Sequence, residues 1–245
     1  MTQSPDITGA AQPPAAPDAE AVMTRLVLFD LDGTLIDTPN AIVTTFTDTF
    51  ASLGIHGITA DAIRGTIGRP LAEAFALLMG LPATADPVEA AVARYQVFYR
   101  ERIVPQARKL LYPGVVEGLA RLRANGMTLA VATSKFTTSA DILLVAAGIR
   151  DEFAMVVGAD AVTEPKPAPE SGLLIAAELG HRPSRAVMVG DTTHDVLMAH
   201  NAGMRSIAVT YGIHSPAQLE AAEPTWTVES FPAVVDHLLG APQNA

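Results

Sequence analysis

The spacing of apolar positions changes character along the chain. Arg25-Leu26-Val27-Leu28-Phe29 is an apolar run that ends in acid, the pattern of a strand buried on both faces of a parallel sheet. From Thr38 to about Pro105 the period is helical throughout. Ile42, Val43, Phe46, Phe50 and Leu53 recur on one face after Pro39, which suits a first helical turn, and Gly54 closes the segment. Thr59 opens a short helix, and Pro70 starts another that reaches about Met79. Asp86-Pro87-Val88-Glu89 predicts a helix capped by Asp86, with Val88, Val92, Tyr95 and Tyr99 on one side.

Beyond Pro105, short apolar runs alternate with helical stretches. Strands are expected over 129–132, 153–157, 186–189 and 206–209. One helix runs from Pro113-Gly114 to Asn125-Gly126, and others cover 138–147, 169–179 and 193–202, several stopped by glycine. This alternation predicts an α/β fold, a doubly wound parallel sheet built from residues 23–37 and 106–245. An all-helical block, 38–105, is inserted after the first strand. Residues 1–22 are rich in Ala, Pro, Asp and Gln and lack the basic start and apolar core of a signal peptide, which predicts a disordered tail.

Composition narrows the function. A net charge of −10 disfavours nucleic acid, whose phosphates are bound largely by Lys and Arg. The chain has no cysteine, so disulfides, thiol nucleophiles and Cys-based zinc sites are excluded. No apolar run reaches the length needed to cross a membrane, and a cytoplasmic location follows by default. The partner expected is a small molecule, and monomer or homodimer is left open.

The polar residues that interrupt this pattern fall at strand ends, where open α/β sheets bind ligands. Asp30 and Asp32 follow the first strand, with Gly33 permitting a tight turn after them. Read alone, they serve equally as turn-formers. They are not a calcium loop: the glycine comes one ligand too early, and Ala41 stands where the glutamate belongs. Thr133-Ser134-Lys135 ends the strand at 129–132, and Gly190-Asp191-Thr192-Thr193-His194-Asp195 ends the strand at 186–189. Lys166 lies in the proline-rich loop Glu164–Pro169. Each has a plain alternative: a helix cap for Thr133, Ser134, Asp191 and Asp195, a solvated charge for Lys166. Yet the chain has only three lysines, and two of them, Lys135 and Lys166, fall in these loops.

Taken jointly and in order, DLDGT, ATSK, KPAPE and GDTTHD resemble the four motifs of the haloacid dehalogenase superfamily of phosphohydrolases. The helical insertion resembles the cap of its phosphoglycolate phosphatase-like subgroup. The resemblance implies a Mg²⁺-dependent phosphatase acting through an aspartyl-phosphate. Asp30 would be the nucleophile and Asp32 the general acid and then base. Thr133, Ser134 and Lys166 would bind the phosphoryl oxygens, and Asp30, the Asp32 carbonyl, Asp191 and Asp195 would serve the metal. Carboxylates so crowded call for a divalent cation, and an all-oxygen ligand set favours Mg²⁺ over zinc. Asp37 reads as a cap or hinge, His194 and His200 as surface residues. The substrate that the resemblance puts first is 2-phosphoglycolate, with Arg69, in the glycine-bracketed loop Gly65–Pro70, as a partner for its carboxylate. Pyrophosphate, sugar phosphates, nucleoside monophosphates, phosphomutase chemistry and a non-enzymatic binding role are the alternatives.

Overall fold

The computed structural model describes residues 24–240. Six strands form one parallel sheet: β1 Leu26–Phe29, β2 Thr128–Ala132, β3 Met155–Val157, β4 Ala186–Gly190, β5 Arg205–Val209 and β6 Trp226–Val228, in the order β3-β2-β1-β4-β5-β6. The chain builds outward from β1 to β3 and then returns to the other side of β1 with β4. The crevice at this reversal is where ligands of such sheets bind. The register aligns the strand ends, because Phe29 lies opposite Val131 of β2 and Val189 of β4. Asp30, Thr133 and Asp191 therefore emerge on one edge.

Both faces of the sheet are covered, which explains the unbroken apolar runs of its central strands. Val27 and Phe29 point to one side, where α5 (Val115–Ala124), α6 (Thr137–Ala147) and α10 (Phe231–Leu238) supply Leu119, Leu143 and Phe231. Leu26 and Leu28 point to the other, toward Ile175 of α7 (Glu170–Glu178) and Met198 of α8 (Thr193–Asn201). The short helix α9, Pro216–Ala221, precedes β6. The strand and helices after Val209 have no counterpart in the sequence-based expectation.

Between β1 and α5 the chain is helical, as its period predicts: α1 Pro39–Ser52, α2 Ala60–Arg64, α3 Leu71–Met79 and α4 Asp86–Arg102, then a 3-10 turn, Val104–Leu110. Aromatic rings hold the helices of this insertion together. Phe46 stacks on Phe75 with centroids 4.4 Å apart and meets Tyr95 at 4.8 Å. Thr59 caps α2 by accepting from the Ala62 N–H. Asp86 is not a cap: α4 already begins there, and the carbonyl of extended Ala85 accepts from the N–H groups of Val88 and Glu89. Asp86 and Glu89 instead place negative charge in the first turn, against the helix dipole. The two chain crossings between sheet and insertion run side by side. Ile36 forms an antiparallel bridge with Leu111, the Asp37 N–H donates to the Leu110 carbonyl, and the Tyr112 N–H donates to that of Leu35. The expected tail, 1–22, lies outside the described residues.

Candidate active site

The strand ends bring the predicted carboxylates together and bury them. Asp30, Asp191 and Asp195 each offer an oxygen within 4.8 Å of the others. Three glycines make this crowding sterically feasible. A Cβ on Gly33, whose φ is +83°, would lie 2.1 Å from an Asp191 oxygen. A Cβ on Gly212 would lie 2.3 Å from the Asp191 Cβ, and one on Gly190 would lie 2.3 Å from that of Asp195. Gly212 gave no sequence signal, since it comes from the loop after β5, far from any motif.

Each carboxylate is held by particular donors. Asp191 accepts from the Thr34 hydroxyl at 2.9 Å and from the Ile213 N–H at 2.8 Å. Lys166 is buried, not solvated, and its ammonium donates to Asp30 at 3.0 Å, Asp195 at 2.5 Å and the Ala132 carbonyl at 3.0 Å. The other Asp195 oxygen accepts from the N–H and hydroxyl of Thr192 at the start of α8, so Asp195 both helps cap that helix and anchors Lys166. Asp32 accepts from the Thr38 hydroxyl at 2.5 Å and from Lys135 at 2.7 Å. Lys135 is a site residue to which the motifs assign no role, although the scarcity of lysine and its place beside Thr133 single it out. Its ammonium also lies 4.3 Å from the ring centroid of Tyr99 on α4, so it ties the insertion to the sheet edge.

The remaining predicted residues divide. Thr133 is buried beside the carboxylates, its hydroxyl accepting from the Lys135 N–H. Ser134 lines the same crevice, and its hydroxyl donates to the Gly68 carbonyl at 2.6 Å, a latch onto the insertion. Arg69 lines the same crevice as Asp30 and Asp32, on its solvent-exposed margin. Asp37 caps no helix; its carboxylate accepts from the Tyr112 hydroxyl at 3.4 Å, next to the chain crossings. His194 is half-buried against Gly68, with its Nδ1 sealed from solvent, rather than a surface residue. His200 is exposed, as expected.

Burial, more than the attraction of Lys166 offsets, raises the Asp30 carboxyl to about 6, with Asp195 and Asp32 adding to the rise. Asp191 is raised well above the ordinary carboxylate range by burial and by the charges of Asp30 and Asp195. Four carboxylates, Asp30, Asp32, Asp191 and Asp195, face two ammonium groups. A divalent cation would balance the surplus, and the all-oxygen donor set in its glycine cradle fits Mg²⁺.

The chain is similar to several known proteins. The sequence profile described as haloacid dehalogenase-like hydrolase matches residues 27–209. A protein of Dickeya dadantii named probable phosphatase IndB is 53% identical over 87% of this chain and 93% of its own. A phosphoglycolate phosphatase of Psychrobacter arcticus is 30% identical over 89% of this chain and 96% of its own. The crystal structure of a haloacid dehalogenase-like hydrolase from Bacteroides fragilis superposes with a TM-score of 0.78 at 28% identity, covering 86% of this chain and 99% of that one. With its parallel sheet, its buried aspartates and these relatives, the chain belongs to the haloacid dehalogenase-like hydrolase family and is a phosphatase of that family.

Proposed function

We propose that the protein is a cytoplasmic, Mg²⁺-dependent phosphatase that hydrolyses a small phosphate monoester through an aspartyl-phosphate on Asp30. The observation that carries this reading is the buried union of Asp30 with Lys166, Asp191 and Asp195, two residues away from Asp32. The Asp30 carboxylate attacks phosphorus, the bond from phosphorus to the alcohol oxygen breaks, and Asp32 delivers a proton to that oxygen. Asp32 then takes a proton from water, whose oxygen attacks phosphorus and returns Asp30 and inorganic phosphate. Lys166 and Thr133 hold the phosphoryl oxygens, and Lys166 lowers the repulsion that a phosphate dianion meets from Asp30. Lys135 and Thr38 fix the Asp32 carboxylate. Asp30, Asp191, Asp195 and the Asp32 carbonyl would hold Mg²⁺, which when bound supplies positive charge for the transferring phosphoryl group.

Asp30→Asn is the test. The variant should fold, with a melting temperature in chelator no lower than that of the wild type, and lose Mg²⁺-dependent hydrolysis of p-nitrophenyl phosphate by at least about a thousandfold. Wild-type-like turnover would end the covalent route. 2-Phosphoglycolate, first by resemblance and by the name of the Psychrobacter relative, asks for a carboxylate partner. Arg69 offers one only from the exposed margin of the crevice, which supports a small phosphate monoester more firmly than 2-phosphoglycolate itself.

A further inference from the structure

The crevice above Asp30 contains a cavity of about 100 Å³ lined on one side by the insertion. Apart from the residues already described, its walls are mainly hydrocarbon. Ile42, Phe46, Ile67 and Tyr95 line it from the insertion, all of them buried, and Phe136 and Ile142 line it from the sheet side. Phe46 and Tyr95, in ring contact with each other, give it an aromatic wall.

The polar groups of the crevice are arranged for something other than a short acid. Lys135, which lines its inner end, is already paired with Asp32, and Lys166, in contact with Asp30, is paired with Asp30 and Asp195. The other two cations that line it, Arg69 and Arg100, are exposed. The Tyr99 hydroxyl is buried beside the Asp32 carboxylate. A carboxylate only two carbons from the phosphoryl group would be desolvated beside Asp32 with no unpaired buried cation, among the described residues, to receive it. An apolar body in the same place would cover the hydrocarbon walls and lose only its own hydration shell.

We propose that the alcohol released by this enzyme is hydrophobic. Its body is about the size of a six-membered ring or a branched chain, and it is held between the Phe46–Tyr95 wall and Phe136 and Ile142. The inference rests on the phosphatase reading above and specifies its leaving group.

The test uses the full chain with Mg²⁺ and compares kcat/KM for methyl, n-butyl and benzyl phosphate, 2-phosphoglycolate and pyrophosphate. The four esters all release primary alcohols, which keeps leaving-group acidity similar. The specificity constant should climb from methyl to butyl to benzyl, by about fourfold for each methylene that becomes buried. Benzyl phosphate should exceed 2-phosphoglycolate by at least about tenfold. Ile142→Glu changes a residue that is 43% exposed and should fold normally. It should cut the benzyl-to-methyl ratio by about fivefold or more. A flat series, a preference for 2-phosphoglycolate or pyrophosphate, or an unchanged ratio in the variant would overturn the inference and leave the phosphatase reading standing. No Mg²⁺-dependent turnover of these compounds or of p-nitrophenyl phosphate would overturn both.

Discussion

Replacing Lys166 with methionine keeps most of its volume and removes the charge that binds the carboxylate cluster together. The side chain is 3% exposed, so no water takes over its hydrogen bonds to Asp30, Asp195 and the Ala132 carbonyl. The carboxylates left behind lie within 4.8 Å of one another, and at that separation unit charges repel by about 3.5 kcal/mol in a medium of effective dielectric near 20. Removing one partner of a buried ion pair typically costs about 3–5 kcal/mol, and we expect that loss at pH 7.5 in chelator, read by urea denaturation. In a chain of this length it lowers Tm by about 6–20 °C. The deficit should narrow at pH 5. Asp30 already sits at about 6 with Lys166 present, so without it the folded state takes up protons the unfolded state does not hold, and this uptake relieves the repulsion as pH falls. Mg²⁺ should narrow the deficit at pH 7.5 by supplying the missing positive charge. A loss below about 1 kcal/mol, or one indifferent to both pH and Mg²⁺, would refute the claim that Lys166 neutralises the cluster.

In the wild type without metal, Asp30 and Asp191 both have raised pKa values, so folding binds protons and urea stability should fall as pH rises from about 4 through 6. Mg²⁺ competes with those protons, so its stabilisation, measured as a Tm shift, should be larger at pH 7.5 than at pH 5; an equal shift would place the metal elsewhere. Gly212→Ala forces a methyl against the Asp191 Cβ and should cost about 1–3 kcal/mol and weaken Mg²⁺ binding at least about tenfold in a calorimetric titration, with wild-type affinity counting against the cradle. Ser134→Ala removes the hydrogen bond to the Gly68 carbonyl and should speed amide hydrogen exchange in residues 66–69 while moving Tm by only about 2–4 °C; unchanged exchange would mean that the latch does not hold the loop.

The strands and helices that carry the site were legible because they are strongly patterned. β1, β2 and β4 are continuous apolar runs with a polar residue at the end, and the helical period of 38–102 has no strand-like interruption. What sequence could not show are contacts made by distant residues. Lys135 and Asp32 are paired across 103 positions, and only the fold brings them together. Gly212 matters because Asp191 packs on it, a steric fact with no local pattern. The sequence showed Ser134 as a hydroxyl in a phosphate-binding motif, but not that the insertion would offer it the Gly68 carbonyl. Asp86-Pro87 mimics a capping signal closely, and the helix simply starts one residue sooner than the signal implies. β6 escapes notice because Trp226-Thr227-Val228 is short and has an exposed threonine at its centre, whereas the equally short β3 lies within the apolar run 153–157.

The bridge between Ile36 and Leu111 bears on how the insertion can move. Two separate tethers would let it tilt, slide and swivel, whereas two tethers stitched into a narrow antiparallel ribbon bend readily only across the ribbon's flat face. Bending across that face would carry the aromatic wall toward or away from Asp30, and the Ser134–Gly68 hydrogen bond and the Lys135–Tyr99 contact lie on the far side of the hinge, where they pin the wall at one height above the carboxylates.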